Sequence, residues 1–228
     1  MSGLRKRWYV RGAAAGAAAL LLAGCGASDT GSGSGAGTGT GTGEDAKAAW
    51  IDQSSMRTVL PDVRAMPGWK TTEAPSTAPL TERLRKSLIC PNKSNTGCER
   101  ARFLGSVSFR RDDDRAETRF WMVTYQDERD ADLAYDILWK DTWGKNGTEN
   151  VDIGTVGAER GATGGTAGRN ADGFTAQIRV GTVILWVGSS AATGSADKDF
   201  AKDVTAMFAE RAQQAQNGEE PSSALDAA

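Results

Sequence analysis

Val183-Ile184-Leu185-Trp186-Val187 is the most apolar run of the chain downstream of its N-terminal segment. An unbroken apolar run of this length suits a strand covered on both faces, so it belongs in the middle of a sheet. Its neighbours read as partners. Phe103, Gly105, Val107 and Phe109 alternate with more polar positions through Arg110. Thr118–Tyr125 carries Phe120 and Met122 on one face and Trp121, Val123 and Tyr125 on the other. Phe174–Val180 and Thr182–Gly188 form two strands around a turn near Val180-Gly181, and Val151–Ala158 reads as a further short strand. Gly161–Gly168 reads as a loop.

Helical spacing appears twice at length. Asp127 suits an N-cap, and Ala131, Ala134, Tyr135, Leu138 and Thr142 follow along one stripe until Gly144 ends it. Ser195 is the expected cap of a last helix with Phe200, Val204, Met207 and Phe208 on one side. Leu80, Leu84 and Leu88 mark a shorter helix stopped by Pro91, and Met56, Val59 and Leu60 a short element ending at Pro61. The expectation is an α+β fold. A mostly antiparallel sheet of about five strands carries two main helices packed on one face, with an irregular N-terminal segment punctuated by Pro67, Pro75 and Pro79. The folded domain spans 46–213, and the polar, alanine-rich tail 214–228 is expected to be disordered.

The N-terminus has the three parts of an export signal. Arg5, Lys6, Arg7 and Arg11 precede a small and apolar run from Gly12 to Leu22, and Ala23-Gly24 supply small residues for cleavage. That run is too short for a bilayer core of ~30 Å, which needs ~20 residues. Leu22-Ala23-Gly24-Cys25 resembles the lipobox of bacterial lipoproteins at all four positions. The resemblance implies a signal peptide over 1–24, a diacylglyceryl group on the Cys25 sulfur, and an anchor in the cell membrane on its extracytoplasmic face. Residues 25–45 then form a tether. Eight of the eighteen residues from Gly26 to Gly43 are glycine, giving a flexible coil of roughly 20–25 Å r.m.s. reach.

Two cysteines remain, Cys90 and Cys98, flanking a Pro-Asn-Lys-Ser-Asn-Thr-Gly loop. In an exported chain they read as a local disulfide. A zinc site lacks its partners, because the chain has no histidine and two thiolates do not complete four ligands. No metal and no cofactor are expected.

The strand and helix order resembles the extracellular sensor domain of actinobacterial serine/threonine kinases and related lipoproteins. The residues that carry the resemblance are Val156-Gly157-Ala158-Glu159, the hairpin Ile178-Arg179-Val180-Gly181-Thr182-Val183 and the closing amphipathic helix, over Cys90 to Arg211. The chain departs from that pattern at Ala158, where an acidic residue is expected, and in having cysteines for one such disulfide rather than two. The resemblance implies a binding or sensing role.

Catalytic signatures are missing from the sequence. Without histidine there is no Ser-His-Asp or Cys-His arrangement, and no Gly-x-Ser-x-Gly elbow or phosphate loop occurs. Asp112-Asp113-Asp114 lacks the spaced ligands of an EF-hand and sits among Arg110, Arg111 and Arg115, as a solvated turn would. Residues 25 onward hold 23 basic and 29 acidic residues with no basic stripe, which excludes nucleic acid as a partner. Six tryptophans follow the signal, and Trp139 and Trp143, four apart on one helix, are the expected contact face for a ligand or partner. The reading is therefore a non-catalytic envelope binding domain; the competing classes are a carboxylate-dependent envelope hydrolase and a structural scaffold.

Overall fold

A single antiparallel sheet organises the computed structural model, which describes residues 48–89, 97–111, 116–165, 173–190 and 197–227. Residues 1–47, with the expected signal, Cys25 and the whole tether, lie outside the described residues, and Asp45–Ala228 forms one compact unit. Seven strands are present among the described residues: β1 (Lys70–Pro79), β2 (Ala101–Arg110), β3 (Glu117–Tyr125), β4 (Glu149–Asn150), β5 (Glu159–Gly164), β6 (Gly173–Val180) and β7 (Val183–Ser190). Their spatial order is β1-β2-β3-β7-β6-β5-β4. The apolar run 183–187 thus occupies the centre, between β3 and β6.

Among the described residues four α-helices accompany the sheet: α1 (Gln53–Val59), the single turn α2 (Glu82–Leu84), α3 (Glu128–Leu138) and α4 (Lys198–Gln216). The two long ones do not share a face, contrary to expectation. Val183, Leu185 and Val187 of β7 face a core built with Phe120, Met122, Ile178, α1 and α4. Ile184 and Trp186 face a second core built with Val123, Tyr125 and α3. The physical reason is the strand itself. Alternate side chains of β3 and β7 point to opposite faces, both sets are large and apolar, and each set needs its own cover.

The sheet is also wider than five strands. Residues 70–79, expected to be irregular, pair with β2 as a ten-residue edge strand. Pro75 and Pro79 are tolerated there because an edge strand has one side without ladder bonds, and the register slips between Thr71 and Ser76. On the other side the expected strand 151–158 is irregular, and Gly161–Gly164 of the expected loop belongs to β5. Val151 and Ile153 are buried, but Gly154 (φ 74°) and Gly157 (φ 62°) turn the backbone out of the extended region, and β5 begins only at Glu159.

Local signals explain the helices. Asp52 caps α1 by accepting the Ser55 N–H at 2.7 Å, and that bond, more than any other, holds its carboxyl below the ordinary value. Met56 and Val59 then pack inward, where Gly105 of β2 leaves room; a Cβ at Gly105 would sit 2.7 Å from the Met56 sulfur. Asp127 caps α3 as expected, accepting from the Asp130 N–H at 2.9 Å. Asp197, not Ser195, caps α4, accepting from the Asp199 and Phe200 N–H groups. Ser195 lies outside the described residues.

The stretch after Gln214, expected to be frayed, continues α4 to Gln216 and then returns along it. The Ser222 N–H donates to Gln214 Oε1 at 2.8 Å, and the Leu225 N–H donates to the Ala65 carbonyl at 3.0 Å. Arg211 is the knot in this arrangement. Its guanidinium is buried and donates to the Thr58, Val59 and Leu60 carbonyls at the end of α1 and to the Ser223 carbonyl of the tail. Burial pulls its pKa below the ordinary arginine value, and Asp62 works against that shift. A positive charge at a helix C-terminus, bonded to carbonyls that have no helical partner, is favourable in itself.

Candidate functional site

Three segments meet beside the N-terminal half of α4: the turn Pro67–Lys70, the helix itself and the returned tail. Between them lies a cleft of about 730 Å³, a size suited to a small organic ligand. Its apolar wall starts from Trp69. Gly68, at φ 80°, makes the turn that sends Trp69 inward, where its ring stacks on Phe200 at 5.3 Å between centroids and 13° between planes. Phe200 in turn meets Phe174 edge-on at 6.4 Å. The Arg111 guanidinium lies 5.2 Å from the Trp69 ring centroid, a cation–π contact.

Met207 and Leu225 complete the apolar lining. Charge is arranged around the rim: Lys70 and Arg111 on the sheet side, Asp203 and Glu210 on α4, and Asp226 on the tail. Glu210 is already engaged, its Oε2 accepting the Ser223 hydroxyl at 2.9 Å. Asp203 and Glu210 lie seven residues apart on one helix, which spaces them by about 10 Å along its axis. Such a cleft can hold a ligand with a flat or apolar body and polar groups at its ends.

The face expected to bind is built differently from its sequence spacing. α3 passes at Trp139 into a π-helical turn, Trp139–Trp143, closed by the Gly144 N–H on the Trp139 carbonyl. In that geometry residues i and i+4 no longer stack as they do on an α-helix. Trp139 is half-buried, its indole wedged between two glycines; a Cβ would lie 2.5 Å from the ring at Gly144 and 2.7 Å at Gly161. Those two positions are glycine because the ring occupies the space a side chain would need. The Trp143 side chain lies outside what the structure describes, as do Asp112-Asp113-Asp114 and Cys90. Cys98 is fully buried in the α3 core.

The same face of the sheet contains a buried polar group. Gln177 of β6 accepts the Trp186 indole N–H at 2.6 Å and donates to the Tyr135 carbonyl at 2.8 Å. The Tyr135 hydroxyl donates back to the Gln177 carbonyl at 3.2 Å, and burial raises the pKa of that hydroxyl. This network joins α3 to the centre of the sheet and has no opening to the cleft.

Sequence reasoning placed Phe200 on a packing stripe and missed the cleft that it forms with Trp69. The available signal was Leu225, the one large apolar side chain in the polar tail. No protein-family model matches the chain. No curated protein matches it either. Among solved structures, the extracellular domain of PknH from Mycobacterium tuberculosis is similar to it at 10% identity and a TM-score of 0.46, over 75% of this chain and 100% of that one.

Proposed function

We propose that this chain is a lipid-anchored, extracytoplasmic binding protein whose ligand enters the cleft beside Trp69. The observation that carries the reading is the aromatic wall, Trp69 stacked on Phe200, closed on its open side by a tail held in place at Leu225. A wall of rings with mixed charge at the rim suits recognition. Hydrolysis by paired carboxylates calls for a separation of roughly 5–9.5 Å across a scissile bond, which the spacing of Asp203 and Glu210 along α4 does not favour. Full-length protein extracted from membranes is expected to carry a small molecule visible by native mass spectrometry; protein that stays empty in crude envelope extract would count against the cleft.

Anchoring rests on Leu22-Ala23-Gly24-Cys25. The expected result for Cys25→Ala is loss of membrane partition, with the protein either retaining its signal or shed into the medium. A diacylglyceryl group holds stably where one acyl chain is marginal, so a variant still processed and still sedimenting with membranes would rule this anchor out.

The proposal includes a bond between Cys90 and Cys98. It would tie the segment after α2 to the start of β2 and stabilise the fold by roughly 2–3 kcal/mol through loop closure. Intact mass with and without reduction reads it directly, two mass units separating the forms in ~24 kDa. Two thiols alkylated in native, unreduced protein would exclude the bond.

A further inference from the structure

A second cleft, of about 450 Å³, opens where the described chain begins, and Trp50 stands at its lip with 48% of its surface exposed. The Trp50 ring meets Phe103 at 6.0 Å. Arg85 and Arg102 line the cleft together with Leu80 and Gln126, and no carboxylate side chain is among its lining residues. We propose that this cleft is an anion site that takes a phosphate group attached to an apolar or glycerol-like body.

The two guanidiniums are held but not neutralised. Arg102 Nη2 donates to Gln126 Oε1, and Arg85 Nη1 donates to the Glu99 carbonyl. The Arg85 Nε–H is buried and has no acceptor among the described residues. A buried N–H without an acceptor is unfavourable, so the Arg85 guanidinium gains from a shift that brings it to an anion in the cleft. Glu82 pairs with Lys86, four residues along the same turn, and feels the Arg85 charge only as a lesser influence. Two planar guanidiniums beside an amide favour a tetrahedral oxyanion, because each fork can present parallel N–H groups to two oxygens. The exposed indole beside them adds a flat apolar surface with one N–H, the side chain best suited to a boundary between polar headgroups and hydrocarbon.

A phosphate of this kind has two sources, an anionic lipid headgroup or a soluble phosphorylated compound. The headgroup source rests on the anchored reading. On that reading the chain from Cys25 to Trp50 reaches roughly 25–30 Å r.m.s., so even a weak contact with the bilayer would be populated at high effective concentration. The phosphate chemistry itself does not depend on the anchor.

The test follows the tryptophan emission assigned to Trp50 by difference from Trp50→Phe. Full-length protein is reconstituted into phosphatidylcholine vesicles and titrated with glycerol phosphate, then reconstituted into vesicles containing phosphatidylglycerol. A saturable change with glycerol phosphate, at least tenfold weaker in Arg85→Gln/Arg102→Gln, supports a soluble ligand. A blue shift present only with phosphatidylglycerol, and lost in the same variant, supports the headgroup. Should the double variant unfold, the exposed Arg102→Gln alone carries the comparison. A Trp50 signal that responds to neither, or responds equally in the variants, overturns the proposal. Protein that fails to reconstitute speaks against the anchor, and the glycerol phosphate titration in detergent then decides the site.

Discussion

Arg211→Met is expected to destabilise the domain by roughly 3–5 kcal/mol, the largest effect of any single substitution considered. The substitution removes the side-chain donor that the last carbonyls of α1 share. The Thr58, Val59 and Leu60 carbonyls would lose the guanidinium that they share, and the Ser223 carbonyl would lose its tie to α4. Hydrogen bonds from a charged donor contribute roughly 1.5–3 kcal/mol each, and their losses do not add fully. Methionine keeps much of the apolar stem, so the loss reports the bonds rather than a cavity. Arg211→Lys should recover only part of it, because an ammonium cannot span carbonyls on both α1 and the tail. Urea midpoints for the three proteins give the ranking, and a methionine variant within 1 kcal/mol of wild type would show that the knot is not energetically important.

Gln177→Leu is the second large effect, expected at about 2–4 kcal/mol. It leaves the Trp186 indole N–H buried without an acceptor in the central strand. The asymmetry of buried hydrogen bonds supplies a sharper test than the single loss. Removing one partner costs its desolvation in full, whereas removing both can be close to neutral. Trp186→Phe combined with Gln177→Leu should therefore be less damaging than the sum of the two single changes, by about 1 kcal/mol or more. Strict additivity in a double-mutant cycle would mean that the pair does not act as a unit.

Much of the fold can be read from strand chemistry. The run Val183–Val187 marks the centre of the sheet, and the both-sided apolar pattern of β3 and β7 already demands cover on two faces. Placing both helices on one face overlooked that demand. Strand edges are harder to read. Residues 70–79 are polar, exposed and twice interrupted by proline, so their pairing depends on the neighbour β2 rather than on any pattern of their own. Gly161–Gly164 resembles a loop by composition, and only the indole of Trp139 lying across it explains a glycine within a strand.

The candidate site was less legible than the fold because its parts are far apart in the chain. Trp69, Phe200 and Leu225 belong to a turn, a helix stripe and a polar tail, and each has an ordinary packing explanation taken alone. Their meeting depends on the tail turning back, which depends on Arg211, a charged residue on the buried side of an otherwise amphipathic helix. A buried arginine in such a stripe is the sequence feature that would repay notice. The spacing of Trp139 and Trp143 assumes α-helical geometry, whereas the backbone there widens to a π-turn.

The central claim is that the cleft beside Trp69 is a binding site, and blocking it without disturbing the core tests this most directly. Ala206 lines the cleft from α4 and is half-exposed, so a larger side chain there can fill the space from the solvent side. The measurement is the shift in melting temperature of full-length wild type and Ala206→Trp on adding envelope extract. The account predicts a concentration-dependent rise for the wild type, as mass action requires of a ligand that binds only the folded state. It also predicts no rise for Ala206→Trp, whose own melting temperature stays close to that of the wild type. An equal rise in both proteins would place the ligand elsewhere and contradict the account.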